Sequence, residues 1–191
     1  MTADTVGGVW HYALELARGL SDKGISVALA TLGERPTPAQ ERHAATIPGL
    51  TLCPGQYPLE WMANPWDELE RAGDWLLKLA ADVQPDIVHL NHYCHGGLPW
   101  PAPVMVVAHS CVYSWFDAVH GAPPNGDWQT YHDAVGRGLD GADMVVAPSA
   151  AMLSAVEKFY GTLRHTRVVA NGRRSAEFRP RNKRARILAA G

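Results

Sequence analysis

The chain has 191 residues, of which 47% are hydrophobic and 19% charged, as is usual for one globular domain with a sizeable core. No apolar run approaches the roughly 18 residues of a membrane span, and the N-terminus lacks the basic-then-apolar pattern of a signal peptide. The three cysteines, Cys53, Cys94 and Cys111, are widely spaced and argue against a disulfide framework. We therefore expect a cytoplasmic protein with free thiols.

The net charge of −2 hides a basic stretch near the C-terminus. Residues 164–186 contain nine Arg or Lys and one acid, Glu177, whereas the rest of the chain contains eight basic and eighteen acidic residues. Such a stretch can face an anionic ligand, a membrane surface or another domain, or can be a solvated linker. No nucleic-acid-binding motif accompanies it, so we expect no nucleic-acid partner and leave peripheral membrane contact open.

The first predicted element is an amphipathic helix that a glycine pair, Gly7-Gly8, opens. Glycines before a helix let a ligand approach the backbone, and the first N–H groups of the helix are unsatisfied, which favours a phosphate site. The alternative is a turn that needs glycine only for its dihedral angles. Only residues 1–3 are available for a strand before this turn, so we expect a truncated first strand. The apolar stripe of the helix is Val9, Ala13, Leu16 and Leu20.

Short β-rich runs then alternate with helical segments, the pattern of a mainly parallel sheet with helices on both faces. The predicted strands are residues 25–32, 50–52, 87–91, 104–108, 144–147 and 168–170. The predicted helices are residues 38–47, a long helix capped by Asp67, and residues 112–119, 128–139 and 150–160. We therefore predict one doubly wound, Rossmann-like α/β domain over residues 1–180, followed by a linker at 181–191.

Polar residues follow several predicted strands at their carboxyl ends, where open α/β sheets bind ligands. They are Asn91, His92 and Tyr93 after one strand, His109 and Ser110 after the next, and Ser149 after a third. A Ser/His/Asp hydrolase is disfavoured, because neither serine lies in a Gly-x-Ser-x-Gly turn.

A metal site is a further alternative at this edge, because four metal-ligating residue types fall within seven positions. We expect no metal there, since strand alternation directs His89 inward, away from its neighbours, and no second ligand group has suitable spacing. The four residues are His89, His92, Cys94 and His95.

The order of several motifs resembles family 4 retaining glycosyltransferases of the GT-B fold, the glycogen-synthase-like group. The first is residues 2–10 (TADTVGGVW) with the helix after it, and the second is residues 85–91 (PDIVHLN). Residues 107–110 (VAHS) with Ser114-Trp115 match a later strand and loop of the family. Residues 142–149 (ADMVVAPS) and 168–172 (VVANG) with 178–180 (FRP) match the end of its acceptor-side domain.

The resemblance implies a role for each matching residue in sugar transfer from a nucleotide-diphosphate donor to a hydroxyl acceptor with retention. Gly7 and Gly8 would approach the donor diphosphate, and His109 would be the catalytic residue that hydrogen-bonds the transferred sugar. It implies no cofactor beyond the nucleotide-sugar co-substrate and no metal. The implied acceptor-binding residues are His11, Asn91, Tyr93, Ser110 and Trp115.

The chain departs from the family in lacking the second Rossmann-like domain that binds most of the nucleotide. Residues 187–190 resemble the first strand of that domain, and could instead fill the slot of the truncated first strand. We therefore expect this chain to be the N-terminal, acceptor-side half of a hexosyltransferase-type enzyme that is inactive by itself. The alternative is a stand-alone Rossmann-like module that binds a phosphorylated small molecule. The sequence leaves the oligomeric state undetermined.

Overall fold

A computed structural model of the chain describes residues 1–174. Within these residues, none of the helices is both long and apolar enough to cross a membrane. The strands are β1 (Thr2–Asp4), β2 (Val27–Leu32), β3 (Leu50–Pro54), β4 (Val88–Leu90), β5 (Val104–Val107), β6 (Met144–Ala147) and β7 (Thr166–Val168). The helices are α1 (Gly8–Ser21), α2 (Pro38–Ala44), α3 (Trp66–Val83), α4 (Val112–His120), α5 (Gln129–Gly141) and α6 (Ala150–Tyr160).

The strands form two parallel ladders, β1-β2-β3 and β4-β5-β6-β7. The two ladders meet where Thr2 of β1 hydrogen-bonds Asn91, the residue after β4. The spatial order is therefore β3-β2-β1-β4-β5-β6-β7, and it reverses direction between β1 and β4. This is the doubly wound parallel arrangement that the alternating pattern predicts, and the reversal is where such sheets bind ligands.

Helices cover both faces of the sheet, and β2 displays this most clearly. On one face, Leu29 packs in a cluster with residues of α1, including Leu14. On the other face, Leu32 packs with Ala72 of α3 and with Leu59, which precedes that helix. Leu29 and Leu32 are both at most 1% exposed. A central strand buried on both faces reads as a continuous apolar run, which is why β2 was recognisable in the sequence.

Most predicted elements are present, and two of them, β6 and α6, have the predicted bounds. The prediction that Asp67 caps the long helix is wrong: α3 begins at Trp66 after Pro65, so Asp67 lies in its first turn. An acidic residue there is still favourable, because it faces the positive end of the helix dipole.

Several other boundaries also differ from the prediction, among them those of the last strand and of α2. The last strand is Thr166–Val168 rather than 168–170, because those residues pair with Val145–Ala147 of β6. Helix α2 ends three residues early, since Ala45 already forms its C-cap. The strand before the glycine pair is β1, and it pairs with β2. The predicted strand at 187–190 and the boundary at residue 180 lie outside the described residues.

Helix α5 packs directly on the backbone of the loop after β4, through glycines on both sides. A Cβ atom on Gly138 would overlap the carbonyl group of Tyr93, and one on Gly96 would overlap the carbonyl group of Gly138. A Cβ atom on Gly141 would likewise overlap the backbone of Gly97. This approach fixes the loop that follows β4, and the loop forms part of the site described below.

We expect Gly138→Ala to destabilise the fold, because the added methyl group would push α5 off this loop. Overpacking of this kind costs about 1–3 kcal/mol. The matched control is Gly136→Ala in the same helix, where the new Cβ would meet only Tyr160 at an ordinary 3.9 Å. That change should be neutral or stabilise by up to about 1 kcal/mol, because alanine favours helix. Urea unfolding followed by circular dichroism measures both, and equal effects would contradict the packing argument.

Candidate functional site

A cavity of about 520 Å³ opens at the carboxyl ends of β1, β4 and β5, where the strand order reverses. Its volume is typical of small-molecule sites. Its lining has a polar part and an aromatic part. The residues that the following paragraphs use from its lining are Asp4, Val9, Glu60, Trp61, Asn91, His92, Tyr93, His109, Ser110, Trp115, Phe116, Trp128 and Tyr131.

His109 and Asn91 form the centre of the polar part of the lining. Nε2 of His109 lies 2.9 Å from Oδ1 of Asn91, and Tyr12 of α1 packs edge-on against the imidazole with ring centroids 4.5 Å apart. Nδ2 of Asn91 donates to the carbonyl oxygen of Thr2 at 2.7 Å, which fixes the orientation of the amide. Because Oδ1 can only accept, His109 carries its proton on Nε2, and its Nδ1 is an acceptor.

Burial keeps the histidines of this region uncharged. It lowers the pKa of His109 to about 4. It also lowers the pKa of His89 to about 4, although the hydrogen bond from His89 to Asn91 works in the opposite direction. At neutral pH His109 is therefore a neutral hydrogen-bonding group.

Three of the four candidate metal ligands come together, without His89: ligand atoms of His92, Cys94 and His95 lie within 4.8 Å of one another. The ring nitrogens of both histidines are nevertheless engaged in a continuous chain of hydrogen bonds. Thr2 Oγ1 lies 3.0 Å from His92 Nδ1, His92 Nε2 lies 2.6 Å from His95 Nδ1, and His95 Nε2 lies 2.8 Å from the carbonyl oxygen of Leu69. The arrangement favours a structural link from β1 to α3, and the expectation of no metal stays a prediction.

A buried carboxylate holds the loop after β4 from the opposite side. Glu60 is 5% exposed, and its oxygens accept the backbone N–H groups of Tyr93, at 3.1 and 3.2 Å, and of Cys94, at 2.8 Å. Burial raises the pKa of this carboxyl group, and the N–H groups lower it. The sequence analysis assigned Glu60 no role, because its contacts with N–H groups 33 and 34 positions away are not visible from spacing.

Aromatic side chains form the other part of the lining. Trp61 and Trp115 are each 51% exposed, so their rings can meet a ligand. Trp115 packs edge-on against Phe116, and Trp128 packs edge-on against Tyr131. Aromatic faces of this kind can bind apolar rings or the C–H face of a sugar.

The Gly7-Gly8 turn adjoins the cavity, because Asp4 before it and Val9 after it both line the wall. Gly7 has φ of 85°, a conformation that favours glycine. No side chain caps the N-terminus of α1, and Gly7 and Gly8 are exposed. The turn therefore needs glycine for its dihedral angles and leaves backbone N–H groups open to a ligand; the two interpretations from the sequence are compatible.

Most of the predicted site residues lie together. Asn91, Tyr93, His109, Ser110 and Trp115 all line the cavity. His11 is exposed and does not line it, whereas its neighbour Tyr12, which the sequence analysis missed, contacts His109.

Ser149, one of the two hydrolase candidates, is the N-cap of α6, and its Oγ accepts the N–H of Met152 at 3.1 Å. This structural role explains the serine without any nucleophilic chemistry.

A ligand cavity at the switch point of a doubly wound sheet, beside an uncapped helix N-terminus, defines a Rossmann-like ligand-binding domain. The family model Glycosyltransferase Family 4 matches residues 6–175. The chain therefore belongs to glycosyltransferase family 4. Comparison with curated proteins gives no match.

Two solved structures are similar to this chain. LpCGTa in complex with UDP matches with a TM-score of 0.51 and 15% identity, over 88% of this chain and 52% of its own. UGT73P12 of Glycyrrhiza uralensis, complexed with glycyrrhetinic acid 3-O-monoglucuronide, matches with a TM-score of 0.49 and 10% identity, over 86% of this chain and 47% of its own. The chain thus spans about half the length of these structures.

The lowered histidine pKa values predict that the fold loses stability in acid. Between pH 6.5 and 4 the unfolded chain binds protons that folded His109 and His89 do not, so the free energy of unfolding falls as the pH falls. The slope is at most about 1.4 kcal/mol per pH unit for each histidine. His92 and His95 shift in the same direction, and Glu60 in the opposite one.

The variant His109→Gln isolates one histidine, since the other groups remain in both proteins. Over this range we expect its free energy of unfolding to fall less steeply as the pH falls. The slope should be smaller by up to about 1.4 kcal/mol per pH unit, the contribution of one proton. Urea unfolding at a series of pH values between 7 and 4 gives the two slopes. An unchanged slope would show that His109 titrates alike in the folded and unfolded chains.

Proposed function

We propose that this domain is the acceptor-side half of a glycosyltransferase that moves a sugar from a nucleotide-diphosphate donor to a hydroxyl acceptor with retention. The observation that carries the proposal is the position of the uncapped N-terminus of α1 beside the cavity that holds His109. A helix N-terminus attracts the diphosphate, and a neutral histidine can hydrogen-bond the sugar that the diphosphate carries. The family match to residues 6–175 supports the same assignment.

In this proposal catalysis rests on positioning and electrostatics. The N–H groups at Gly8 and the following residues stabilise the charge that develops on the leaving diphosphate. His109, which Asn91 and Tyr12 hold in one orientation, positions the transferred sugar. The donor phosphate itself assists attack by the acceptor from the same face, which accounts for retention without a protein nucleophile.

The proposal includes a second, donor-binding Rossmann-like domain that completes the cleft. We expect this chain alone to give no measurable transfer with a panel of nucleotide sugars and acceptors. Robust turnover by the isolated chain would contradict this part of the proposal. Binding of a phosphorylated small molecule by this chain alone, much tighter than its binding of UDP or pyrophosphate, would instead favour the stand-alone module.

The first test concerns the diphosphate site and uses the 191-residue chain itself. UDP or inorganic pyrophosphate at millimolar concentration should shift the backbone amide NMR signals of Gly7, Gly8 and Val9. In Gly8→Ala we expect at least fivefold weaker binding, because the methyl group obstructs a phosphate although it meets nothing within 4 Å in the protein. Gly19→Ala in the same helix is the control, since its Cβ also has open space. Equal binding by Gly8→Ala would reduce the glycine pair to a structural turn.

The second test concerns His109 in a protein that carries both domains. We expect His109→Ala to lower kcat more than tenfold, because the sugar loses a positioned hydrogen bond. Exposed His165, which lies outside the cavity lining, gives the control variant His165→Ala. Circular dichroism and thermal unfolding establish that both variants fold. Near-normal kcat in folded His109→Ala would assign this histidine a purely structural role.

A further inference from the structure

The cavity allows the acceptor class to be deduced, and this inference rests on the proposed function. We propose that the acceptor is an uncharged molecule with an apolar body that presents a hydroxyl group, rather than a phosphorylated or carboxylated one. Three properties of the lining support this: its charge, the state of its N–H groups and its aromatic surface.

The lining offers no positive charge to an anion. Among the described residues that line the cavity, the carboxyl and imidazole side chains are Asp4, Glu60, His92 and His109, and none of the lining residues is Lys or Arg. Burial lowers the pKa of His109 to about 4 and that of His92 well below its usual value, so both are neutral at pH 7. A phosphate placed on the acceptor side would meet the carboxyl group of Glu60 and no counter-charge, which is unfavourable in a partly buried site.

Backbone N–H groups on the acceptor side are also already engaged. Glu60 accepts those of Tyr93 and Cys94. At the N-terminus of α4, the N–H of Val112 donates to the hydroxyl oxygen of Tyr131 at 3.2 Å, and that of Ser114 donates to Sγ of its N-cap residue, Cys111, at 3.3 Å. These groups are therefore not available to bind an anion in the way an open helix N-terminus does.

The remaining surface suits an apolar body. Trp61, Trp115, Phe116 and Trp128 line the cavity, whose volume of about 520 Å³ accommodates a fused-ring molecule. Phe116 packs against both Trp115 and Trp128, so these three rings form one aromatic surface. His109 lines the same cavity. An acceptor whose rings contact the tryptophans can therefore present a hydroxyl group to His109, where the transferred sugar is proposed to lie.

The test compares two ligands that share a body and differ in charge, 2-naphthol and 2-naphthyl phosphate. Calorimetry at pH 7.5 uses the Gly8→Ala form of the 191-residue chain, in which we expect the N-terminus of α1 to bind phosphate at least fivefold more weakly. We expect 2-naphthol to bind at least tenfold more tightly than 2-naphthyl phosphate and than methyl glucoside, which is uncharged but lacks an apolar body. Trp115→Ala should weaken 2-naphthol binding at least fivefold. Val119→Ala, an exposed change one turn further along α4 and outside the lining, should leave it unchanged.

Tighter or equal binding of the phosphate overturns the inference, as does tighter binding of methyl glucoside, or no binding of 2-naphthol at all. Equal loss in Trp115→Ala and Val119→Ala also overturns it, because the ligand would then lie outside the cavity. Failure of the proposed function has a different signature. In that case UDP and pyrophosphate leave the amides of residues 7–9 unshifted, while the preference for 2-naphthol persists and supports an uncharged, apolar ligand at this cavity.

Discussion

Asn91 joins the two halves of the sheet and orients His109 with the same side-chain amide. Its Nδ2 and backbone N–H both donate to Thr2 of β1, while its Oδ1 lies within hydrogen-bonding distance of His89 and His109. The contact that sets β1 beside β4 therefore also sets the tautomer and position of the candidate catalytic histidine. A change in how the two ladders meet would move His109, so the fold and the site depend on one set of hydrogen bonds.

The loop after β4 is held on several sides by buried polar groups and by close backbone contact. Glu60 is buried to receive two N–H groups, the His92–His95 pair connects β1 to α3, and Gly138 permits backbone contact with α5. A buried carboxylate or imidazole is costly unless its hydrogen bonds are made, and here they are made. Such a loop has few alternative conformations, which suits a site whose chemistry relies on positioning.

The sequence predicts those features that depend on neighbouring residues. The bounds of β6 follow from an apolar run, and the start of α6 follows from the serine before it. The placement of Gly7-Gly8, Asn91 and His109 at the site follows from the ends of the predicted strands. Glu60 and Tyr12 could not be predicted in this way. Glu60 binds N–H groups 33 and 34 positions away, and spacing in the sequence carries no sign of such a contact. His11 and Tyr12 differ by about 100° around α1, so the helix must be oriented on the sheet before one can be chosen.

The helices α1 and α4 both begin near the cavity, and their caps determine which of them can receive an anion. At α4 the Cys111 and Ser114 side chains each accept the other's backbone N–H, and Tyr131 takes that of Val112. At α1 the N-cap is Gly7, which has no side chain, so the first N–H groups have no side-chain acceptor. In the proposed function a diphosphate would bind at α1, while the acceptor side, where these N–H groups are engaged and the histidines are neutral, would bind a molecule without charge. The difference in capping between the two helices would thus separate donor from acceptor.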